Sequence, residues 1–352
     1  RRRAAASAAA RTRGDAVLQS RRHAEYLEKV RGQLLRVDSP GKAMATVDAL
    51  QRLGIDYHFE EEVGTLLQFI CESFDDDAGA GAAGDLHDVS LSFRLLRQGR
   101  FHVPTDPFDR FMDGQGSFKE SISKGIPGLL NLHEASYLGV QGEHVLDEAQ
   151  AFSQKHLKAS MGWLEPGDLA QQVIREALDH PYHTTPQRYK SRKYLEHFEG
   201  RSGGDEMILL GELARLDFNM VQTLHRMELL RFSKWWNTWG MSQDLVFARN
   251  QPLKWYMWSM AALSNPKFSD YRFEFTKCIA LIYIIDDIFD VYGSLEELVL
   301  FTETVKKWDS PEVGTLPSCM EICYTTLYDV TNEIASKVYK EHGWNPISSL
   351  KK

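Results

Sequence analysis

Apolar positions along this chain recur at intervals of three and four rather than two. The longest series is Leu209, Leu213, Leu216, Met220, Leu224 and Met227. It predicts one long amphipathic helix with a single core-facing stripe. Leu91, Phe93, Leu95 and Leu96 begin a second helix, and Glu148, Ala149, Phe152 and His156 lie on a third. Sustained period-two alternation and Asn-Gly hairpin turns are missing, so strand signals are nearly absent. The expected fold class is all-α, without a fixed-period repeat of the solenoid kind.

Two stretches break the helical pattern. Residues 75–85 (DDDAGAGAAGD) read as a flexible surface loop whose aspartates are solvated, since no apolar helix presents them. Residues 199–205 (EGRSGGD) fall just before the long helix and mark the expected domain boundary. This divides the chain into a helical domain over 16–200 and a second domain over 205–352. Residues 1–14 hold five arginines and many alanines, with no acid before Asp15. The segment 1–15 therefore reads as a transit-peptide remnant or a disordered basic arm, with the plastid as the favoured destination. With no initiator methionine, the sequence reads as processed or incomplete.

Composition narrows the classes. A chain of 352 residues is long enough for two domains and a sizeable core. Its 43% hydrophobic and 26% charged content is that of an ordinary globular protein. The net charge of −8 argues against general nucleic-acid binding, which needs basic surface. No apolar run approaches the ~20 residues that span a bilayer. The four cysteines are too few and too scattered for a disulfide scaffold and read as reduced thiols.

Candidate chemistry starts where an uncharged stretch, Cys278 to Ile285, meets Asp286-Asp287-Ile288-Phe289-Asp290-Val291-Tyr292-Gly293. Such a helix is expected to be buried on most of its surface, where carboxylates need pairing, hydration or a cation. Positions 286 and 290 project from one helical face, with Asp287 on its flank. Mg2+ favours one or two carboxylates together with waters and phosphate oxygens. The plainer alternative is a solvated helix end before Gly293. Upstream, Arg249-Asn250-Gln251-Pro252-Leu253-Lys254-Trp255-Tyr256-Met257-Trp258 combines cations with aromatic rings. Arginine's planar fork suits diphosphate, and aromatic faces stabilise cations. Trp255 and Trp258 are expected to share a face. A surface salt bridge for Arg249 and plain core packing for the aromatics are the competing readings. Together the two segments suggest a pocket that binds a metal diphosphate and surrounds a carbocation.

These residues resemble plant class I terpene synthases. DDIFDVYG is similar to the family's aspartate-rich motif, and further segments match in order: LQRLGIDYHFEEEV at 50–63, FRLLRQ at 93–98, GSFKESI at 116–122, LLNLHEASYLGVQGEHVLDEA at 129–149, LARLDFNMVQ at 213–222 and FSKWWN at 232–237. The resemblance implies two helical domains, an N-terminal α-barrel-like one and a C-terminal catalytic bundle. It implies that Asp286 and Asp290 ligate Mg2+, or Mn2+ in its place, with Asp287 supporting them as part of the metal cluster. It further implies that Arg249 holds the departing diphosphate of a prenyl substrate and that Trp258 lines the pocket. A monomer without a membrane span is expected, working in the plastid stroma. None of the twelve histidines forms a HExxH pattern, and His133 and His156 read as structural or surface residues.

Departures from the family pattern narrow the expected product. The family's tandem arginine followed at a distance by tryptophan is missing, because the first tryptophan is Trp163. Arg249 is followed by Gln251 where relatives carry a second arginine. Both changes fit the subgroup that makes acyclic tertiary alcohols, giving linalool from geranyl diphosphate or, as the alternative, nerolidol from farnesyl diphosphate. No second metal motif follows Asp290, and Thr331-Asn332-Glu333 lacks its spacing, so the bundle reads as truncated at its C-terminus. A chain-elongating prenyltransferase is disfavoured by the matches over 50–149. A catalytically inactive helical protein remains the alternative from a different class.

Overall fold

A computed structural model describes residues 2–78, 84–165, 167–198, 204–238, 248–310 and 314–351. Among these residues the chain is helical, with no strand and one isolated bridge between Met112 and Phe118. No described helix is long and apolar enough to cross a membrane. The chain divides into two compact units, Arg1–Phe218 and Asn219–Lys352.

The first unit contains α1 (Arg2–Leu34), α2 (Pro40–Leu53), α3 (Glu60–Ala78), α4 (Leu86–Gln98), α5 (Ile126–Ser136), α6 (His144–Met161), α7 (Leu169–Asp179) and α8 (Gln187–Phe198). Alanine is the best helix former, and the backbone of residues 2–15 continues α1 rather than forming an irregular arm. Part of the expected 75–85 loop is likewise helical, since α3 runs to Ala78, while residues 79–83 lie outside the described residues. Asp85 caps α4 by accepting from the Asp88 N–H. The predicted helices at 91–96 and 148–156 correspond to α4 and α6.

Pro40 starts α2 and Gly54 ends it in the left-handed region at φ +69°. A Cβ there would meet Ser191 of α8 at 2.3 Å, so glycine is required twice over. Val47, Leu50, Phe93, Leu96, Leu129, Leu132 and Ala149 fill the centre of this unit. Fully burying such a side chain stabilises by about 1.5–3 kcal/mol. Charges are buried among them. Arg52 donates to Asp48 at 2.8 Å and forks onto Glu134 at 3.0 and 2.5 Å, while Arg94 also pairs with Asp48. Neither His133 nor His156 belongs to a described metal-ligand cluster, and both are buried, which favours the structural over the surface reading.

The long helix is α9 (Asp205–Thr238). Its buried stripe is rotated from the predicted one: Leu210, Leu213, Ala214, Asp217, Val221, Glu228, Phe232 and Trp236 are buried, and Met227 is exposed. Leu210, Leu213 and Ala214 join the first core, whereas Phe232 and Trp236 join the second. The units therefore divide within α9, between 218 and 219, rather than at the Gly-rich 199–205 segment, of which 199–203 lie outside the described residues.

Asp217 gathers donors from across the first unit: Tyr57 Oη, His58 Nε2 at 2.9 Å and Arg188 Nη1 at 3.3 Å, with His23 Nε2 at 3.4 Å. Burial opposes its charge. The hydrogen bonds from His23, His58 and Tyr57 win, aided by the Arg188 cation, and hold the carboxyl well below the usual range. A depressed carboxyl contributes stability above its unfolded pKa of about 4, and that stability is lost as pH falls. Asp217→Asn is therefore expected to destabilise the first unit by about 3–5 kcal/mol near neutrality. The gap from the parent should narrow below about pH 4. Urea denaturation at several pH values checks this, and a gap independent of pH would contradict it.

The second unit contains the end of α9, then α10 (Pro252–Ala262), α11 (Ser269–Asp287), α12 (Leu295–Lys307) and α13 (Ser318–His342). Arg272, fully buried, forks onto Glu228 at 2.7 and 2.9 Å and donates to the carbonyls of Leu263 and Asn265, both at 2.7 Å. Tyr256 donates to the same carboxylate at 2.7 Å. This network ties α9, α10 and α11 together. Lys277 reaches Glu333 at 2.8 Å, linking α11 to α13 and giving Glu333 a structural partner. None of the four cysteines is in a disulfide, and burial pushes the Cys323 thiol up to about 12.

Candidate metal and diphosphate site

The buried face of α11 follows a 3–4 repeat: Phe273, Thr276, Lys277, Ala280, Leu281, Ile284 and Asp287. The other face is open, with Tyr271, Phe275 and Ile282 exposed, so the helix is buried along one stripe rather than over most of its surface. Asp287 lies on that stripe with its side chain 7% exposed, whereas Asp286 lies beside it at 54%. Only one carboxylate of the adjacent pair carries the burial penalty.

After Asp287 the helix widens into a π-turn over Ile288–Tyr292. The Gly293 N–H donates to the Ile288 carbonyl at 2.8 Å, closing the wider ring. Such π-turns are frequent at functional sites. Asp290 sits in the turn and is exposed. Gly293 ends the helix with φ −74°, not in the left-handed region. Its requirement is close approach: a Cβ would meet Leu298 Cδ2 at 2.6 Å and Met320 Cε at 3.0 Å. Ser294 and Glu297 then form a capping box that starts α12.

Arg249 meets the aspartates directly. Its Nη2 donates to Asp286 Oδ2 at 2.5 Å and its Nε pairs with Asp287 Oδ1 at 2.7 Å. Its backbone N–H donates to Asp287 Oδ2, also at 2.7 Å. Both oxygens of Asp287 thus hold donors from one residue, so Asp287 anchors the Arg249 segment rather than standing free as a ligand. Among the described residues, the Asp290 side chain enters no hydrogen bond or ion pair. The residues present fit a hard divalent cation: Asp286 and Asp290 are exposed carboxylates four positions apart, and no soft ligand lies among them.

Neighbouring side chains fix the Arg249 segment. Trp236 Nε1 donates to Asn250 Oδ1 at 3.1 Å, and Pro252 opens α10. Trp255, fully buried, packs edge-on to Trp236 with ring centroids 4.9 Å apart. Trp258 is 58% exposed, so the expectation of one shared aromatic face is corrected. Positions three apart on a helix differ by about 60° in direction, and the edge of the buried stripe falls between them. The Arg249 guanidinium lies over the Tyr283 ring at 4.7 Å, and Lys254 Nζ lies over the same ring at 5.5 Å. Sequence reasoning missed Tyr283, although it stands three residues before Asp286 and hence on the same side of α11.

The first unit has a separate cavity of about 250 Å³, lined by Arg52, Glu134, Tyr182 and Lys190 among others, and by none of the residues at 249–290.

Residues 4–178 match a family model described as terpene synthase, N-terminal domain, and residues 237–352 match the terpene synthase family metal binding domain. A chloroplastic monoterpene synthase of Cananga odorata is 42% identical, covering 94% of this chain and 55% of the relative. An (E)-nerolidol synthase of Cannabis sativa is 40% identical, covering 93% of this chain and 59% of the relative. The chain thus spans somewhat over half the length of these relatives. The crystal structure of grey poplar isoprene synthase, with three Mg2+ ions and dimethylallyl-S-thiolodiphosphate, superposes with a TM-score of 0.84 at 33% identity, over 94% of this chain and 63% of that one. Its fold is the all-helical one seen here. The exposed acidic pair at 286 and 290 falls inside the matched metal-binding region, and the two family domains follow one another in chain order: the chain belongs to the terpene synthase family.

Proposed function

We propose that this chain provides the diphosphate-ionising site of a Mg2+-dependent terpene synthase acting on geranyl diphosphate, with water capture giving linalool. The observation that carries the reading is the exposed Asp286 and Asp290 pair beside the guanidinium of Arg249. Asp286 and Asp290 would hold Mg2+, which when bound neutralises the diphosphate and makes it a better leaving group. Arg249 offers a planar fork to the departing diphosphate. Trp258, exposed on α10, is the indole assigned to shield the allylic cation. Electrostatic positioning replaces a nucleophile in such a site.

Gln251 in place of a second arginine supports an acyclic product, because weaker diphosphate recapture leaves the first cation open to water. Farnesyl diphosphate with nerolidol as product is the second reading, favoured by the nerolidol synthase relative. The chloroplastic name of the Cananga odorata relative supports a plastid location, where geranyl diphosphate is the expected substrate.

Incubation with Mg2+ and either geranyl or farnesyl diphosphate, followed by gas chromatography of the volatiles, tests the proposal. Linalool from geranyl diphosphate is the expected outcome. Nerolidol alone would transfer the reading to farnesyl diphosphate, and cyclic products would overturn the acyclic assignment. Absence of any product would favour the inactive helical alternative.

A further inference from the structure

We infer that Arg249 is a latch that stands in for the metal: in the metal-free chain its guanidinium neutralises Asp286 and Asp287, and it must leave Asp286 before a cation can take that carboxylate fully. The inference rests on the metal assignment made under the proposed function and extends it to how the site loads.

The geometry supports the latch at three points. The Asp286 Oδ2 that Nη2 holds at 2.5 Å belongs to the carboxylate proposed as a metal ligand. The Arg249 backbone N–H donates to the buried Asp287, which keeps the main chain in place while the guanidinium, a rigid plane whose Nε also pairs with Asp287, turns as one piece. Tyr283 supports the guanidinium from below at 4.7 Å. Arg249 therefore has a fixed main chain and a guanidinium whose Nη2 bonds a carboxylate more than half exposed.

Linkage follows from competition for one oxygen. A cation arriving alone must displace Nη2 and leave that guanidinium end without an acceptor. A diphosphate supplies new acceptor oxygens to the same N–H groups. Diphosphate binding therefore releases Asp286 and strengthens cation binding, and by reciprocity the cation strengthens diphosphate binding. Cation and diphosphate should load together more readily than either loads alone.

The test titrates Mn2+ by electron paramagnetic resonance, without any prenyl substrate. Arg249→Ala is expected to bind Mn2+ more tightly than the parent, by about fivefold or more. Adding inorganic diphosphate should tighten Mn2+ binding in the parent and do so much less in Arg249→Ala. Lys254→Ala controls for the loss of one positive charge, since Lys254 shares the Tyr283 ring but bonds neither aspartate, and it should shift Mn2+ affinity far less. Circular dichroism establishes that each variant folds, and Arg249→Lys, which keeps the charge but loses the fork, should fall between parent and alanine. Equal or weaker Mn2+ binding by Arg249→Ala would overturn the latch while leaving the metal assignment intact. An equal gain in Lys254→Ala would also overturn it, as a general charge effect. If neither parent nor variant binds Mn2+, with or without diphosphate, the metal assignment falls and the latch with it.

Discussion

Arg272→Ala is expected to destabilise the second unit by about 3–5 kcal/mol, because it strands a buried carboxylate. That is a large share of the roughly 5–15 kcal/mol by which domains are stable. The loss has two sources. Glu228 loses its cation and keeps the neutral donors Tyr256 and Ser269, and the carbonyls of Leu263 and Asn265 lose the guanidinium that closes the turn between α10 and α11. Both helices belong to the candidate site, so Mg2+ binding should weaken together with the fold. Chemical denaturation followed by the fluorescence of Trp235, Trp236 and Trp255 measures the effect. A paired Glu228→Leu and Arg272→Met replacement should recover much of the loss, since removing both charges leaves no orphan in the core. A double variant as unstable as Arg272→Ala would show instead that the carbonyl contacts dominate.

Replacing Asp286 and Asp290 together by asparagine should act in the opposite way, leaving the fold intact and removing the chemistry. Both residues are exposed, so the melting temperature should remain that of the parent. Mg2+ binding by calorimetry should be lost. Conversion of prenyl diphosphate should fall by about a thousandfold or more, since a bound metal contributes several kcal/mol to charge stabilisation and each 1.36 kcal/mol is tenfold. Retained Mg2+ binding in the double variant would remove these two residues from the site. Asp287→Asn separates the roles, because its buried carboxylate anchors Arg249, and it should lower melting temperature and Mg2+ response together.

Much of the architecture was legible from local pattern. The 3–4 spacing of Leu209 to Met227 belongs to a single helix, α9, and Leu91 to Leu96 lie buried on α4. The DDxxD run pointed to hard-cation chemistry, and the matched metal-binding domain agrees with it. The buried stripe on α9 is rotated from the apolar series because it takes in two carboxylates, Asp217 and Glu228. Both are buried, each supplied with donors from other elements. The asymmetry of the aspartates was also hidden. By spacing, Asp287 looked like the flank of the cluster, yet it is the buried member of the adjacent pair.

Sequence alone therefore determined the helical class, the places where helices lie and the kind of chemistry the acidic run can support. Those properties depend on apolarity and backbone geometry over a few neighbouring residues. Only the tertiary structure decided which carboxylates are free and which are anchors, and where one core gives way to the next along α9. The partner of Asp287 is 38 positions away at Arg249, and that of Arg272 is 44 positions away at Glu228. A charge becomes tolerable in a core only when folding brings a distant opposite charge or donor to it.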